Sequence, residues 1–208
     1  MRKEQDFYFH KAKKENYPAR SVYKLVEAQQ QHRFLKPGQR VLDLGCHPGS
    51  WSLFAAETVG ERGLVVGVDI QRGAVRQNSG AEIRRLCYDV FSSELAELLR
   101  GQYPGFHALL SDMAPATTGN APTDHQRSLA LCRRALELAG ALLHEGGVLY
   151  CKVFQGSDFP AFLDECKPFF QTVRVVKPRS SRKESREVFV LGLGFRRPKP
   201  GVTDNSET

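Results

Sequence analysis

The stretch LKPGQRVLDLGCHPGSWS, residues 35–52, decides the fold. A proline-glycine turn precedes the short apolar run RVLDLG at 40–45, which predicts a buried strand. The turn that follows carries two glycines and a proline, and residues 50–58 then show a helical pattern. A strand, a glycine-bearing turn and a helix in this order are typical of the first unit of a parallel α/β sheet.

The same alternation continues along the rest of the chain. Short apolar runs predict further strands, and helical patterns lie between them. The predicted strands span 40–45, 64–70, 83–89, 107–113, 148–154, 172–178 and 186–195, and the predicted helices span 20–32, 50–58, 92–100, 123–143 and 157–167. Strands that alternate with helices predict an α/β fold, with a largely parallel sheet covered by helices on both faces.

The length of 208 residues and the hydrophobic fraction of 41% suit one domain with a substantial core. We predict a basic N-terminal arm over 1–19 and a single domain over 20–195. The polar end of the chain, 196–208, predicts a disordered tail.

The net charge of +7 is distributed unevenly along the chain. Residues 1–40 hold ten Lys and Arg against four acids, and residues 167–199 hold ten against two. Residues 41–166 hold ten against fifteen. If the two basic ends meet in space, they form a positive surface that suits a phosphate backbone. The alternative is solvated charge that serves only solubility.

Three classes of protein are disfavoured by what the chain lacks. No run of about 18 apolar residues is present to span a membrane, and the first 17 residues lack the apolar core of a secretory signal. A cytoplasmic protein without a membrane partner is therefore predicted. The cysteines are scattered singly and predict reduced, mostly buried thiols rather than a metal site. They are Cys46, Cys87, Cys132, Cys151 and Cys166.

Acidic residues at successive strand ends predict a nucleoside-binding site. Gly45 and Gly49 bring backbone close to a small ligand, but their spacing is not the GxGxxG of a dinucleotide site, which disfavours a nicotinamide-dependent oxidoreductase. Asp69 ends the second strand and can accept hydrogen bonds from ribose hydroxyls, and Asp89 ends the third. An adenosine without a diphosphate fits this pattern, and S-adenosylmethionine is the common one. Trp51 is either part of this site or part of the core.

Lys152 stands in LYCKVFQG, residues 149–156, which otherwise has the pattern of a core strand. A buried ammonium group is too costly unless carboxylates partner it. Asp112 ends the fourth strand, Glu187 begins the last one, and Lys24 lies in a helix before the sheet. Two lysines and two carboxylates can therefore converge at one end of the sheet.

At these residues the chain resembles the FtsJ/RrmJ family of RNA 2'-O-ribose methyltransferases. The matching segments are RSVYKL, LKPGQRVLDLGCHPGSWS, GVDI, SDMAP, GGVLYCKVFQG and KPRSSRKESREVF, in family order. The resemblance places the family's catalytic tetrad on Lys24, Asp112, Lys152 and Glu187. It places the cofactor contacts on Gly49, Trp51, Asp69, Asp89 and Asp112. It also implies a Rossmann-like class I methyltransferase fold, with seven strands of which the last is antiparallel.

The function that the resemblance implies is methyl transfer from S-adenosylmethionine to a ribose 2'-hydroxyl of RNA. Lys152 corresponds to the proton acceptor, and a positioned cation is the other role open to it. The compact length is most similar to the branch that modifies a uridine in the A loop of 23S-type large-subunit ribosomal RNA. The tRNA anticodon loop is the second candidate, and a non-catalytic ribosome-assembly factor the third. A monomer is assumed.

The basic ends are expected to form the RNA platform. The candidate phosphate contacts are Lys3, Lys11, Lys13, Lys14, Arg20, Arg179, Arg182, Lys183 and Arg186. The chain departs from the small residues usual in the family's glycine turn at Cys46, His47 and Ser50, which predicts an altered cofactor affinity.

Overall fold

The computed structural model describes residues 2–73, 79–182 and 184–198, and it contains a single seven-stranded sheet within them. The strands are β1 (Arg40–Leu44), β2 (Leu64–Asp69), β3 (Glu82–Cys87), β4 (Phe106–Ser111), β5 (Leu143–Phe154), β6 (Phe170–Val176) and β7 (Glu187–Phe195). The helices are α1 (Arg2–Lys14), α2 (Val22–His32), α3 (Ser50–Val59), α4 (Leu95–Gln102), α5 (Ala121–Leu142) and α6 (Phe159–Cys166).

The strand order is β3-β2-β1-β4-β5-β7-β6. All pairings from β3 to β5 are parallel, whereas β7 runs antiparallel to both of its neighbours, β5 and β6. The predicted fold class is therefore confirmed. Because β7 runs the other way, its first residue lies at the end of the sheet that holds the carboxyl ends of β4 and β5.

The two faces of the sheet bury separate apolar layers. Successive side chains of a strand point to opposite faces, so Val41 packs with α2 and α3 whereas Leu42 packs with α4, α5 and α6. Helices cover both faces, as predicted. The central strands are buried almost throughout, which explains why they read as nearly continuous apolar runs.

The basic N-terminal segment contains a helix that its weak pattern did not predict. Ala12 of α1 is buried in a small cluster with Val22 and Tyr23 of α2, and the Tyr23 hydroxyl donates to the Glu15 carboxylate at 2.7 Å. A short stripe of apolar contacts therefore holds α1, while the other side chains described on this helix are polar or exposed.

The end of α5 and the start of β5 differ from the prediction. The helix ends at Leu142 and the strand begins at once with Leu143, which pairs with Phe106 before a register shift. The glycine pair at 146–147 therefore lies inside the strand rather than before it. Of the predicted tail, residues 199–208 lie outside the described residues. Within the described ranges, no helix is long and apolar enough to cross a membrane.

Candidate active site

The turn after β1 approaches the end of β4 closely. Gly45 adopts a φ of +72°, and a Cβ at this position would lie 2.6 Å from Cγ of Met113. A larger residue fits there only if Met113, just beyond the end of β4, shifts. Gly49, at φ +115°, precedes the first residue of α3. Both glycines are thus explained by backbone geometry, and Gly45 also lines the cleft described next.

A cleft of about 550 Å³ lies along the carboxyl ends of β1 to β4, where open α/β sheets bind their ligands. Three of the predicted cofactor residues line it, namely Asp69, Asp89 and Asp112. Its apolar walls are formed by Ile70, Tyr88, Phe91, Met113 and Leu131, among others. Apolar walls for an aromatic ring and carboxylates for hydroxyl groups are the features that an adenosine requires.

Two of the cleft carboxylates are fixed by backbone N–H groups. Asp69 accepts hydrogen bonds from the backbone N–H groups of His47 and Gln71, both at 2.8 Å. Asp89 accepts one from the N–H of Phe91 at 2.9 Å. Each carboxylate is therefore held in place before any ligand arrives, so the ordering cost at binding is reduced.

A buried carboxyl group lies on β1, below the glycine turn. Oδ2 of Asp43 accepts a hydrogen bond from the Ser52 hydroxyl at 2.6 Å, while Oδ1 is buried and has no hydrogen-bond partner among the described residues. Burial raises the pKa of Asp43 to about 7. One oxygen of Asp43 is therefore a buried acceptor without a partner in the described part of the chain, on a residue that does not line the cleft.

Trp51 is buried in the core on the α2 and α3 side of the sheet. Its indole stacks on Tyr150 with ring centroids 5.6 Å apart, and Tyr150 stacks in turn on Phe189 at 4.7 Å. The indole N–H donates to the carbonyl of Ser21 at 2.9 Å. The side chain of Trp51 does not line the cleft, nor does Gly49, so their assignment as cofactor contacts stays a prediction.

The four predicted tetrad residues meet at the edge of the cleft. Lys152 Nζ lies 3.0 Å from Oδ1 of Asp112 and 4.0 Å from Oε2 of Glu187. Lys24 Nζ lies 2.7 Å from Oε2 of Glu187 and 3.6 Å from Oδ1 of Asp112. The four groups therefore form a closed ring of alternating charge, in which each lysine faces both carboxylates.

The tetrad is held by hydrogen bonds from the segment before β7. Oε1 of Glu187 accepts from the Ser181 hydroxyl at 2.9 Å, and Lys177 Nζ donates to the carbonyl of Glu187 at 2.6 Å. Burial by itself would raise the pKa of the Glu187 carboxyl. The neighbouring Lys24, Lys152 and Ser181 outweigh that effect and hold the pKa below its ordinary value.

A row of side chains on α5 fixes the end of β5. The Cys132 thiol donates to the carbonyl of Lys152 at 3.0 Å, and the Ser128 hydroxyl accepts from the N–H of Phe154 at 3.0 Å. Nδ1 of His125 lies 2.7 Å from the carbonyl oxygen of Phe154 and therefore carries the proton. The strand that carries Lys152 is thus attached to α5 at three successive places.

Comparison with known proteins decides the family. The model of the FtsJ-like methyltransferase family matches residues 17–195. The chain belongs to the FtsJ-like methyltransferase family. It is 53% identical to the ribosomal RNA large subunit methyltransferase E of Desulfotalea psychrophila, over 96% of this chain and all of that one. It is 49% identical to the protein of the same name from Desulfosudis oleivorans, over 92% of this chain and 91% of that one.

Solved structures agree with this membership at the level of the fold. A protein from Plasmodium falciparum, provisionally named a ribosomal RNA methyltransferase, superposes with a TM-score of 0.74 and 24% identity, over 86% of this chain and 98% of that one. Identity this low supports the fold alone. Within the described residues, no group of three His, Cys, Asp or Glu side chains is placed to hold a metal ion.

The contacts that support this FtsJ-like site were not predicted from the sequence. The row of His125, Ser128 and Cys132 recurs at helical spacing, but polar residues at such spacing predict a solvated helix face as readily as bonds to a strand. Ser181 and Lys177 lie in the basic segment before β7. The sequence of this segment shows its positive charge but does not show that these two residues contact Glu187. Only the three-dimensional arrangement shows these roles.

The two basic ends of the chain come together at Glu27 of α2. Its carboxylate accepts from the backbone N–H groups of Arg179 and Ser180, at 2.6 and 3.1 Å, and from the hydroxyl of Tyr8 on α1 at 3.3 Å. The segment before β7 and helix α1 therefore lie side by side. Of the predicted phosphate contacts, Lys183 and the side chain of Lys3 lie outside the described residues.

Proposed function

We propose that this FtsJ-like enzyme transfers a methyl group from S-adenosylmethionine to a ribose 2'-hydroxyl of large-subunit ribosomal RNA. The observation that carries the proposal is the position of Asp112, which lines the nucleoside-sized cleft and also belongs to the lysine-carboxylate tetrad. A cofactor in the cleft and an RNA hydroxyl at the tetrad would therefore be neighbours. The names of the most similar relatives favour ribosomal RNA as the substrate.

The residues of the cleft fit S-adenosylmethionine. Asp69 is the expected acceptor for the ribose hydroxyls and Asp89 for a donor on the adenine ring, while Ile70 and Phe91 cover the ring faces. When bound, the cofactor would supply a methyl group on a sulfonium, with the neutral thioether as the leaving group.

Lys152 is the group that meets the hydroxyl. An ammonium group has three N–H donors. One of them goes to the backbone carbonyl of Asp112 at 2.5 Å, and the Asp112 carboxylate lies 3.0 Å away as an ion pair. A remaining donor is available for the 2'-oxygen. Lys152 then orients the hydroxyl and stabilises the negative charge that develops on its oxygen. As the C–O bond forms and the C–S bond breaks, the hydroxyl proton passes to solvent water. The Glu187 carboxylate, 4.0 Å from Lys152 Nζ, helps to keep the ammonium group in place.

The finer substrate assignment is a uridine in the A loop of the 23S-type RNA. The test is incubation of the protein with labelled S-adenosylmethionine and separate pools of undermethylated large subunits, small subunits and tRNA, followed by mapping of ribose methylation. We expect label in large-subunit RNA at one uridine. Label confined to tRNA would instead establish the anticodon-loop activity, and cofactor binding without label in any pool would establish a non-catalytic factor.

A further inference from the structure

A second recess lies at the same end of the sheet as the cofactor cleft. The tetrad separates it from the cleft. It has a volume of about 240 Å³ and is lined by the end of β5, the residues before β7 and the start of α5. The cleft spans the ends of β1 to β4, whereas the recess lies at β5 and β7. Along the sheet edge, the tetrad therefore stands between the two.

The recess carries the groups that recognise an unpaired base. Arg186 carries a planar guanidinium group, and Gln155 carries an amide with two donors and an acceptor. The carboxylate of Asp124 also lines it and is fixed through Oδ1 by the N–H and hydroxyl of Thr118, at 2.7 and 2.9 Å. Proteins recognise splayed-out RNA bases by stacking on such planes and by hydrogen bonds along the base edge.

The lining is held in place by its own backbone. The N–H of Gln155 donates to the carbonyl of Arg186 at 2.9 Å, and the backbone of Phe154 is bound on both sides by His125 and Ser128. The backbone at these positions therefore loses little conformational freedom when a ligand binds, while the exposed side chains of Gln155 and Arg186 become ordered only on binding.

We propose that this recess binds the base of the nucleotide whose ribose is methylated, and that Gln155 selects that base. The inference rests on the proposed function. A nucleotide with its 2'-hydroxyl at Lys152 must place its base away from the methyl donor, and the recess lies on that side. Its volume is just below the range of roughly 300 to 1,000 Å³ for pockets that hold drug-sized ligands, which suits a single ring.

The spacing along β5 agrees with this assignment. Gln155 follows Lys152 by three residues, and three residues of extended chain span roughly 10 Å. One nucleoside, reaching from its 2'-oxygen to its base edge, has dimensions on this scale. Because residues three apart leave a strand on opposite faces, the nucleotide would cross the carboxyl end of β5, with its ribose at Lys152 and its base at Gln155.

The test measures base preference at the methylated nucleotide. Undermethylated large subunits are prepared with each of the four bases at that position, and methyl incorporation is followed for the wild type, Gln155→Leu and Gln102→Leu. The control Gln102 is exposed at the end of α4, where the chain turns towards the start of β4. We expect the wild type to prefer one base by about tenfold, the factor for one good hydrogen bond.

In Gln155→Leu the preference for one base over the others should fall to within about threefold. Gln102→Leu should keep the wild-type preference. Both variants should bind S-adenosylmethionine as tightly as the wild type. The preference is a ratio of methylation rates measured with one enzyme preparation. A misfolded fraction lowers both rates equally and therefore cancels. A preference that Gln155→Leu retains, or a wild type that methylates all four subunits equally, overturns the base subsite alone. A wild type that methylates none of them overturns the proposed function and the subsite with it.

Discussion

Lys152 is only 6% exposed, yet its ammonium group lies 3.0 Å from the Asp112 carboxylate and faces Glu187 as well. A buried charge is tolerated only when partners replace the water it has lost. Here the partners themselves are shared with Lys24, so removing any one charge leaves the other three unbalanced. An apolar replacement of such a cluster is often at least as stabilising, so the stability of the fold does not by itself account for these four charges.

Replacement of Lys152 should separate chemistry from cofactor binding. We expect Lys152→Ala to lower the turnover by at least about 100-fold, the usual loss when a positioned acid-base or charged group is removed. The affinity for S-adenosylmethionine, measured by isothermal titration, should stay within about threefold of the wild type, because the cleft residues remain.

Asp69→Ala provides the opposite pattern and serves as the comparison. Loss of a charged acceptor should weaken cofactor binding about tenfold or more, whereas turnover at saturating cofactor changes less. Lys167→Ala, exposed on the surface beyond α6, should alter neither quantity. Near-normal turnover by Lys152→Ala would refute the assignment of the tetrad.

Asp43 gives the ligand-free protein a specific pH dependence. Its pKa rises from an ordinary value of 3.8 to about 7 on folding, so the folded state binds its proton more tightly than the unfolded state does. The stabilisation is present below about pH 4 and is lost as the pH rises towards 7. A shift of this size corresponds to about 4 kcal/mol.

The check is the free energy of unfolding in urea at several pH values, for the wild type and for Asp43→Asn. Because the amide in this variant does not titrate, the wild type should lose several kcal/mol relative to it between about pH 4 and pH 8. Glu187, with its lowered pKa, acts in the opposite direction in both proteins and cancels in the difference. Curves that remain parallel over this range would contradict the raised pKa of Asp43.

At the scale of elements, the packing of β2 against the glycine turn explains a departure from the family pattern. The family usually has a small residue at the position of Cys46, and here the Sγ of Cys46 would lie 2.8 Å from a Cβ added to Gly67 of β2. The larger side chain in the turn is accommodated because Gly67 has none. Burial raises the pKa of the Cys46 thiol to about 12, which disfavours the reactive thiolate, and the side chain is buried against Gly67.

A double-mutant cycle tests this complementarity. Gly67→Ala should destabilise the protein by about 1 to 3 kcal/mol through overpacking, as measured by urea unfolding. The same change in a Cys46→Ala background should cost less, because the Sγ that it meets is gone. Equal costs in the two backgrounds would show that the two positions are independent.

The elements themselves differ in how far the sequence determines them. The strands of the buried sheet are apolar and punctuated by turns, so β1, β2 and β4 could be predicted to within about two residues. Helix α1 could not, because only a narrow stripe around Ala12 is buried, and the exposed side chains described on it mix Phe7 and Phe9 with charged residues, so no clear helical periodicity results. The contacts of Ser128 and Ser181 depend on elements distant in sequence, which no local pattern reports.

At the scale of the whole molecule, the reversed direction of β7 assembles the tetrad. Asp112 follows the end of β4 and Lys152 lies near the end of β5, whereas Glu187 is the first residue of its strand. In a fully parallel sheet the first residue of β7 would lie at the opposite end of the sheet, beside the amino ends of β4 and β5. The antiparallel pairing puts Glu187 opposite Phe154 in register, and the basic segment that precedes it is thereby carried to the substrate side.

The joined basic surface predicts a strong dependence of RNA binding on salt. The logarithm of the affinity should fall linearly with the logarithm of the salt concentration, because each neutralised phosphate releases counterions. Substituting both Arg179 and Arg182 by Gln should weaken binding of ribosomal RNA and reduce the slope by about 2, roughly one for each lost phosphate contact.

The controls Arg62→Gln and Arg100→Gln change exposed residues just before β2 and on α4, away from the joined basic ends, and should leave the slope unchanged. A slope that is flat in the wild type, or that falls equally in the controls, would show that these charges serve solubility and do not contact the RNA.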